Sequence, residues 1–306
     1  MSYSRKYDWH RWLRSDGQPG FSSRIYRVEG DMERLAKRPV ITISQSSPVK
    51  EALERMHLNR VRSLIVSKGE AYEGILLAEN LIDYLGGGDL YNLAINRYEG
   101  IFYRAIDEPI KSIMSKQAVF AYTTSRLSDV VTKMMENNIS IIPILNRDGK
   151  IYGIISEHDV VKLLVEKRTG VTAEEISSQI ISVGTYEPIL EAMKKMVSLG
   201  LRQIFVRNEA DQIVGSISIK RLIDFFATSE VYNWVKKGYL TEANSAQVKD
   251  LASYSITRIP HSLDVGEAAR EMLNYQVSSA VVVKDSEDFG MITEHDVFYA
   301  LALPLK

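Results

Sequence analysis

Two stretches decide how this chain of 306 residues folds: Gly153-Ile154-Ile155-Ser156-Glu157-His158-Asp159 and Gly290-Met291-Ile292-Thr293-Glu294-His295-Asp296. Each passes from an apolar strand through a hydroxyl residue into a helical pattern, with a carboxylate three positions after the hydroxyl. Two looser copies occur, Gly74-Ile75-Leu76-Leu77-Ala78-Glu79-Asn80 and Gly215-Ser216-Ile217-Ser218-Ile219-Lys220-Arg221. The first replaces both hydroxyl and carboxylate, and the second keeps Ser218 but puts Arg221 where the carboxylate belongs.

Upstream of each stretch lies one helix face with apolar residues at i, i+3, i+4 and i+7: Val49, Ala52, Leu53, Met56; Leu127, Val130, Val131, Met134; Ile189, Ala192, Met193, Met196; Val265, Ala268, Ala269, Met272. An apolar strand follows each helix, for example Ile141 to Leu145 or Ala280 to Val283, then a polar turn such as Asn146-Arg147-Asp148-Gly149 or Asn208-Glu209-Ala210-Asp211. From helix methionine to strand glycine the distance is 18 residues in the first and last copies and 19 in the middle two. A fixed spacing repeated four times is an internal duplication, and each unit reads β-α-β-β-α, an α+β chain. Units of this size bury their apolar faces poorly alone, so they are expected to pair. Chain order and linker lengths predict an N-terminal extension over 1–38 and two modules. The first spans 39–170, with repeats at about 39–86 and 108–168. The second spans 171–306, with repeats at about 172–228 and 247–303.

The repeat and its closing Gly-apolar-apolar-Ser/Thr-x-x-Asp resemble the cystathionine β-synthase (CBS) domain family over roughly Val40 to Leu301. The resemblance implies repeats paired into two Bateman modules, with AMP, ADP or ATP bound in clefts between paired repeats and no catalysis. It also implies a regulatory role toward a partner protein that the sequence does not identify. Stacking of the two modules into a disc and homodimerisation are the assemblies to expect. Ser156 and Thr293, at helix starts where free amides and the dipole favour anions, are placed to meet phosphate. Asp159 and Asp296 are placed to accept the ribose hydroxyls. By the same resemblance Arg62 serves the nucleotide of the second repeat, Arg202 and Lys220 serve that of the fourth, and His158 and His295 are candidates to touch phosphate. The plain alternative makes Ser156 and Thr293 helix N-caps with Asp159 and Asp296 as first-turn partners. Against it stands the loss of hydroxyl or carboxylate in the odd repeats only. Glu157-His158-Asp159 is no metal site on this reading, because adjacent helical residues diverge. An S-adenosylmethionine sensor is the alternative that the same ribose chemistry leaves open.

Composition excludes several other classes. With no cysteine, disulfides, thiol catalysis and thiolate metal sites are ruled out. Lys plus Arg (38) balance Asp plus Glu (39), which argues against a general field for nucleic acid. Nucleic-acid binding therefore rests on the basic, aromatic segment Ser4 to Arg14 alone. No apolar run approaches the ~18 residues of a membrane span and no signal-peptide core stands at the start, so a cytoplasmic protein without membrane contact is expected. Neither a P-loop nor His-Glu-x-x-His is present, and 1–38 and the linkers are too short for a catalytic fold.

Overall fold

The computed structural model describes residues 31–116, 119–165 and 168–303; the segment Ser4 to Arg14 lies outside them. In chain order the elements are α1 (Asp31–Leu35), then β1 (Thr42–Ile43), α2 (Val49–Asn59), β2 (Ser63–Lys68), β3 (Ala71–Leu77) and α3 (Ala78–Ile82), which form the first repeat. Linker helices α4 (Tyr91–Tyr98) and α5 (Phe102–Ala105) lead to the second: β4 (Ala121–Tyr122), α6 (Leu127–Asn137), β5 (Ile141–Leu145), β6 (Ile151–Ser156) and α7 (Glu157–Leu164). After α8 (Ala173–Ile176) the third follows, β7 (Ser182–Gly184), α9 (Ile189–Leu199), β8 (Gln203–Arg207), β9 (Ile213–Ser218) and α10 (Ile219–Ala227). Helices α11 (Leu240–Asn244) and α12 (Val248–Leu251) precede the fourth: β10 (Arg258–Pro260), α13 (Val265–Asn274), β11 (Ser279–Lys284), β12 (Glu287–Thr293) and α14 (Glu294–Ala302).

Each repeat is the expected β-α-β-β-α unit on a three-stranded sheet, its first strand parallel and its third antiparallel to the middle one. The periodic faces are the buried ones. Val49, Ala52, Leu53 and Met56 are at most 1% exposed, and each large side chain so buried contributes about 1.5–3 kcal/mol. The predicted turns form hairpins. Asn146 Oδ1 accepts the N–H of Asp148 and Lys150, and Asn208 Oδ1 accepts those of Ala210 and Gln212, the local side-chain bonding that makes Asn a turn residue.

The strand glycines have a use beyond turn chemistry. A leader preceding each repeat does not join that repeat's own sheet; it runs antiparallel to the last strand of a neighbour. Lys37 pairs with Ile154, Ser115 with Ile75, Ser178 with Met291 and Ser253 with Ser216. The exchange is reciprocal between the first and second repeats and between the third and fourth. At each crossing the leader passes over the strand glycine: a Cβ on Gly215 would lie 2.6 Å from the Ser253 carbonyl oxygen, and one on Gly290 2.9 Å from that of Ser178. Only a residue without a side chain admits so close a backbone.

Helix packing follows a different order from the chain. The described residues form two compact units, one from 41–116 and 181–255 and the other from 31–40, 119–165, 168–180 and 256–303. The first unit packs α2 and α3 of the first repeat against α10 of the third, and the second packs α7 against α14. Alternate repeats thus share a helical core, a grouping that linear modules at 39–170 and 171–306 do not anticipate. The reason is that each closing helix is apolar on a face its own small sheet cannot cover: Leu222, Ile223, Phe225 and Phe226 of α10 are all buried, as are Val297, Phe298 and Leu301 of α14. Gly87, read as linker, belongs to the first unit's core, where its Cβ would stand 2.8 Å from Val197 Cγ2. Residues 31–37, placed by the sequence in an extension ending at 38, are a leader inside the second unit.

Candidate ligand site at the closing-helix N-termini

All four closing helices start on one backbone device. Ala78, Glu157, Ile219 and Glu294 donate their N–H groups to the carbonyls of Arg62, Ser140, Arg202 and Ser278, at 2.9, 2.8, 2.8 and 3.0 Å. One orphan amide of each helix is satisfied in this way. Side chains then differ by repeat.

In the second repeat Ser156 is the N-cap of α7. Its N–H and Oγ donate to Asp159 Oδ2 at 2.9 and 2.6 Å, and Asp159 returns its N–H to Ser156 Oγ at 3.4 Å. In the fourth, the N–H and Oγ1 of Thr293 both donate to Asp296 Oδ2 at 2.8 Å, and Asp296 N–H donates to Thr293 Oγ1 at 3.2 Å. These are full capping boxes, so the plain role weighed for these four residues is realised. Asp159 is 8% and Asp296 1% exposed. The second oxygen of Asp159, Oδ1, faces the Lys37 ammonium at 2.5 Å.

The odd repeats keep one half of the box each. Asn80 Oδ1 accepts Leu77 N–H at 3.0 Å with no hydroxyl opposite it. Ser218 Oγ accepts Arg221 N–H at 3.2 Å, while the Arg221 guanidinium turns to Glu230 at 2.5 Å.

The three residues Glu157, His158 and Asp159 diverge. His158 Nδ1 lies 2.6 Å from Glu294 Oε1, and His295 Nδ1 lies 2.8 Å from Glu157 Oε1. The two Glu-His-Asp copies therefore clasp each other where α7 meets α14, with Glu157 and Glu294 at 2% and 7% exposure. Tyr299 packs on His295 with ring centroids 4.7 Å apart, and burial, reinforced by the charge of Glu157, pushes its phenol well above the usual range. Both histidines, candidates for phosphate, already hold buried carboxylates.

Arg202 Nε lies 3.2 Å from Glu79 Oε1, in the unit of the first and third repeats. Lys220 is exposed and Arg62 half-buried. The structure thus brings Ser156 to Asp159 and Thr293 to Asp296, and gives Arg202 a carboxylate partner in the first repeat. What sequence reading missed is Lys37 and the leader exchange. A signal existed, because Leu35-Ala36-Lys37, Ile113-Met114-Ser115, Ile176-Ser177-Ser178 and Leu251-Ala252-Ser253 stand at like places before the four repeats.

Among the described residues no three His, Asp or Glu side chains converge as a metal site would require, and no helix is long and apolar enough to cross a membrane. A protein of Thermofilum pendens described as an uncharacterised 33.4 kDa protein in the ribosomal RNA operon is 26% identical over 265 residues, covering 86% of this chain and 88% of its own length. An uncharacterised Methanocaldococcus jannaschii protein, MJ1225, is 24% identical over 271 residues, covering 87% and 96%. Its crystal structure superposes with a TM-score of 0.79 at 22% identity, over 87% of this chain and 97% of that one, a likeness of fold. The CBS domain model matches at 31–87, 110–166, 173–228 and 248–303. With four matches spanning most of its length, this chain belongs to the CBS domain family, as a tandem four-repeat member consistent with two Bateman modules.

Proposed function

We propose that the chain is a regulatory sensor that binds an adenine nucleotide (AMP, ADP or ATP) without consuming it and transmits occupancy to a partner protein. The ribose is held at Asp159 and Asp296, at the starts of α7 and α14. The observation carrying this reading is the rigid carboxylate at the start of α7 and of α14, held through one oxygen by two hydrogen bonds and absent from both odd repeats. A fixed carboxylate is preorganised to accept hydroxyl donors, and charged hydrogen bonds of this kind are worth about 1.5–3 kcal/mol. Occupancy becomes a signal to the extent that ligand binds two states of the module unequally.

Calorimetry with AMP and ATP tests the assignment. Up to two sites per chain are expected, one lost in Asp159→Asn and one in Asp296→Asn, each with roughly tenfold or greater weakening. Asn is the informative replacement, because Asn80 shows that a side-chain carbonyl at this position still caps the helix. Asn80→Ala and Arg221→Ala should leave the number of sites unchanged. Tight binding that survives both Asn substitutions together, in a folded protein, removes the carboxylates from the site. Chromatography after incubation with ATP checks the other half, and turnover at ordinary enzyme rates of about 1–10³ per second overturns a pure sensor.

A further inference from the structure

The two carboxylates differ in what the exchanged leader brings to them. Lys37 is fixed by two backbone bonds to the last strand of the second repeat, Lys37 N–H to the Ile154 carbonyl at 2.8 Å and Ile154 N–H to the Lys37 carbonyl at 3.2 Å. From there its side chain reaches Asp159 Oδ1. The residue in the same bridge of the fourth repeat is Ser178; its N–H donates to the Met291 carbonyl at 2.9 Å, and its carbonyl accepts the Met291 N–H at 2.8 Å. Its short hydroxyl leans back on the Met291 carbonyl at 3.4 Å. Otherwise the same cap, strand and helix meet two different leaders: one carries a cation on a four-carbon stem, the other does not.

We propose that Lys37 is a resident counter-ion that makes the Asp159 site selective for anionic adenosyl ligands. The inference rests on the ribose-binding reading above. The Asp159 side chain is 10% exposed, and a carboxylate so covered needs a compensating charge. The Lys37 side chain is 59% exposed, so its ion pair is solvent-screened and exchangeable. A neutral nucleoside taking the carboxylate displaces the ammonium and offers it nothing in return. A nucleoside phosphate offers the displaced ammonium a new anion within reach of its flexible stem. S-adenosylmethionine, with its sulfonium, places a second cation beside the first. The leader cation therefore favours the nucleotide over the sulfonium ligand at the second repeat.

Calorimetry with adenosine, AMP and S-adenosylmethionine on Asp296→Asn protein reads the Asp159 site alone. Lys37→Met, which keeps the stem and removes the charge, should lower the AMP-to-adenosine affinity ratio by about tenfold or more, partly by strengthening adenosine, and should strengthen S-adenosylmethionine. The converse variant, Ser178→Lys in Asp159→Asn protein, should raise the ratio at the Asp296 site. Unchanged ratios in both variants, with AMP binding still dependent on the carboxylate, overturn the role of Lys37 and leave the ribose assignment standing. Loss of all AMP binding in folded Asp296→Asn protein, or AMP binding indifferent to both carboxylates, overturns the ribose assignment and the counter-ion role together.

Discussion

In the unit built from the second and fourth repeats, each closing helix opens on a hydroxyl and a carboxylate that cap each other, and the Glu-His pairs Glu157 with His295 and Glu294 with His158 join the two helices. The unit built from the first and third repeats has the same backbone bond at each helix start, yet its side chains form one-sided caps and direct polar pairs: Arg202 with Glu79, His57 with Asp224, Arg221 with Glu230. Backbone geometry is thus common to all four starts, and side-chain chemistry is the variable. One scaffold holds a preorganised anion at two positions and spends the other two on fastening helices. The capping boxes serve stability and the proposed ribose contact at once, so loss of function and loss of fold have to be read apart.

The largest effect should come from the feature both units share. Gly215→Val places a branched side chain where even a Cβ is 2.6 Å from the Ser253 carbonyl oxygen. Overpacking of this kind costs about 1–3 kcal/mol or more, and urea unfolding measures it. Gly290→Val, at 2.9 Å from Ser178, should cost somewhat less. Equal and negligible losses at both would mean that the leader crossings are not tight.

The caps rank next. Asp296→Ala strands the buried Thr293 N–H and hydroxyl and should cost about 1–3 kcal/mol, whereas Asn80→Ala removes one acceptor from a one-sided cap and should cost about 1 kcal/mol. Thermal unfolding of the two variants sharpens the even-to-odd contrast, and the reverse ranking breaks it. A smaller effect belongs to the reciprocal clasp. A double-mutant cycle with Glu157→Gln and His295→Ala should return a coupling of about 0.5–1 kcal/mol, within the range for contacting residues. The cycle on Glu294 and His158 should return a similar value.

Acid sensitivity is the smallest expected difference. Asp264 caps α13 and also accepts the N–H groups of Thr169 and Gly170. Burial alone would raise its carboxyl, but hydrogen bonds from Gly266, Gly170 and Thr169 hold it below the usual range. A carboxyl lowered by folding stabilises above its unfolded pKa, and that contribution is lost as pH falls through the folded value. Stability measured downward from neutral pH should therefore fall less steeply in Asp264→Asn than in the wild type. In the other unit prolines, Pro48 and Pro188, stand at the same N-cap position and cannot titrate.

Legibility in the sequence followed the range of the interactions. Helix faces, hairpins and the capped starts of α7 and α14 depend on residues within a few positions of one another, so Val49, Ala52, Leu53 and Met56, Asn146, and Ser156 with Asp159 could be read from spacing. The strand glycines were legible as marks of a repeat but not as crossings, because the leader that presses on Gly153 comes from residues more than a hundred positions earlier. The carboxylate partners of His158 and His295 were illegible for the same reason: they lie 136 and 138 residues away.

By itself the sequence determined the fourfold β-α-β-β-α order, the apolar faces and which helix starts carry a carboxylate, since periodicity and local hydrogen bonding act along the chain. Tertiary structure alone decided that alternate repeats share a helical core, that leaders are exchanged, and that Lys37 meets Asp159 while Ser178 stands at the matching place. Burial and charge pairing act through space, and four similar repeats offer several chain orders in which their apolar faces could meet.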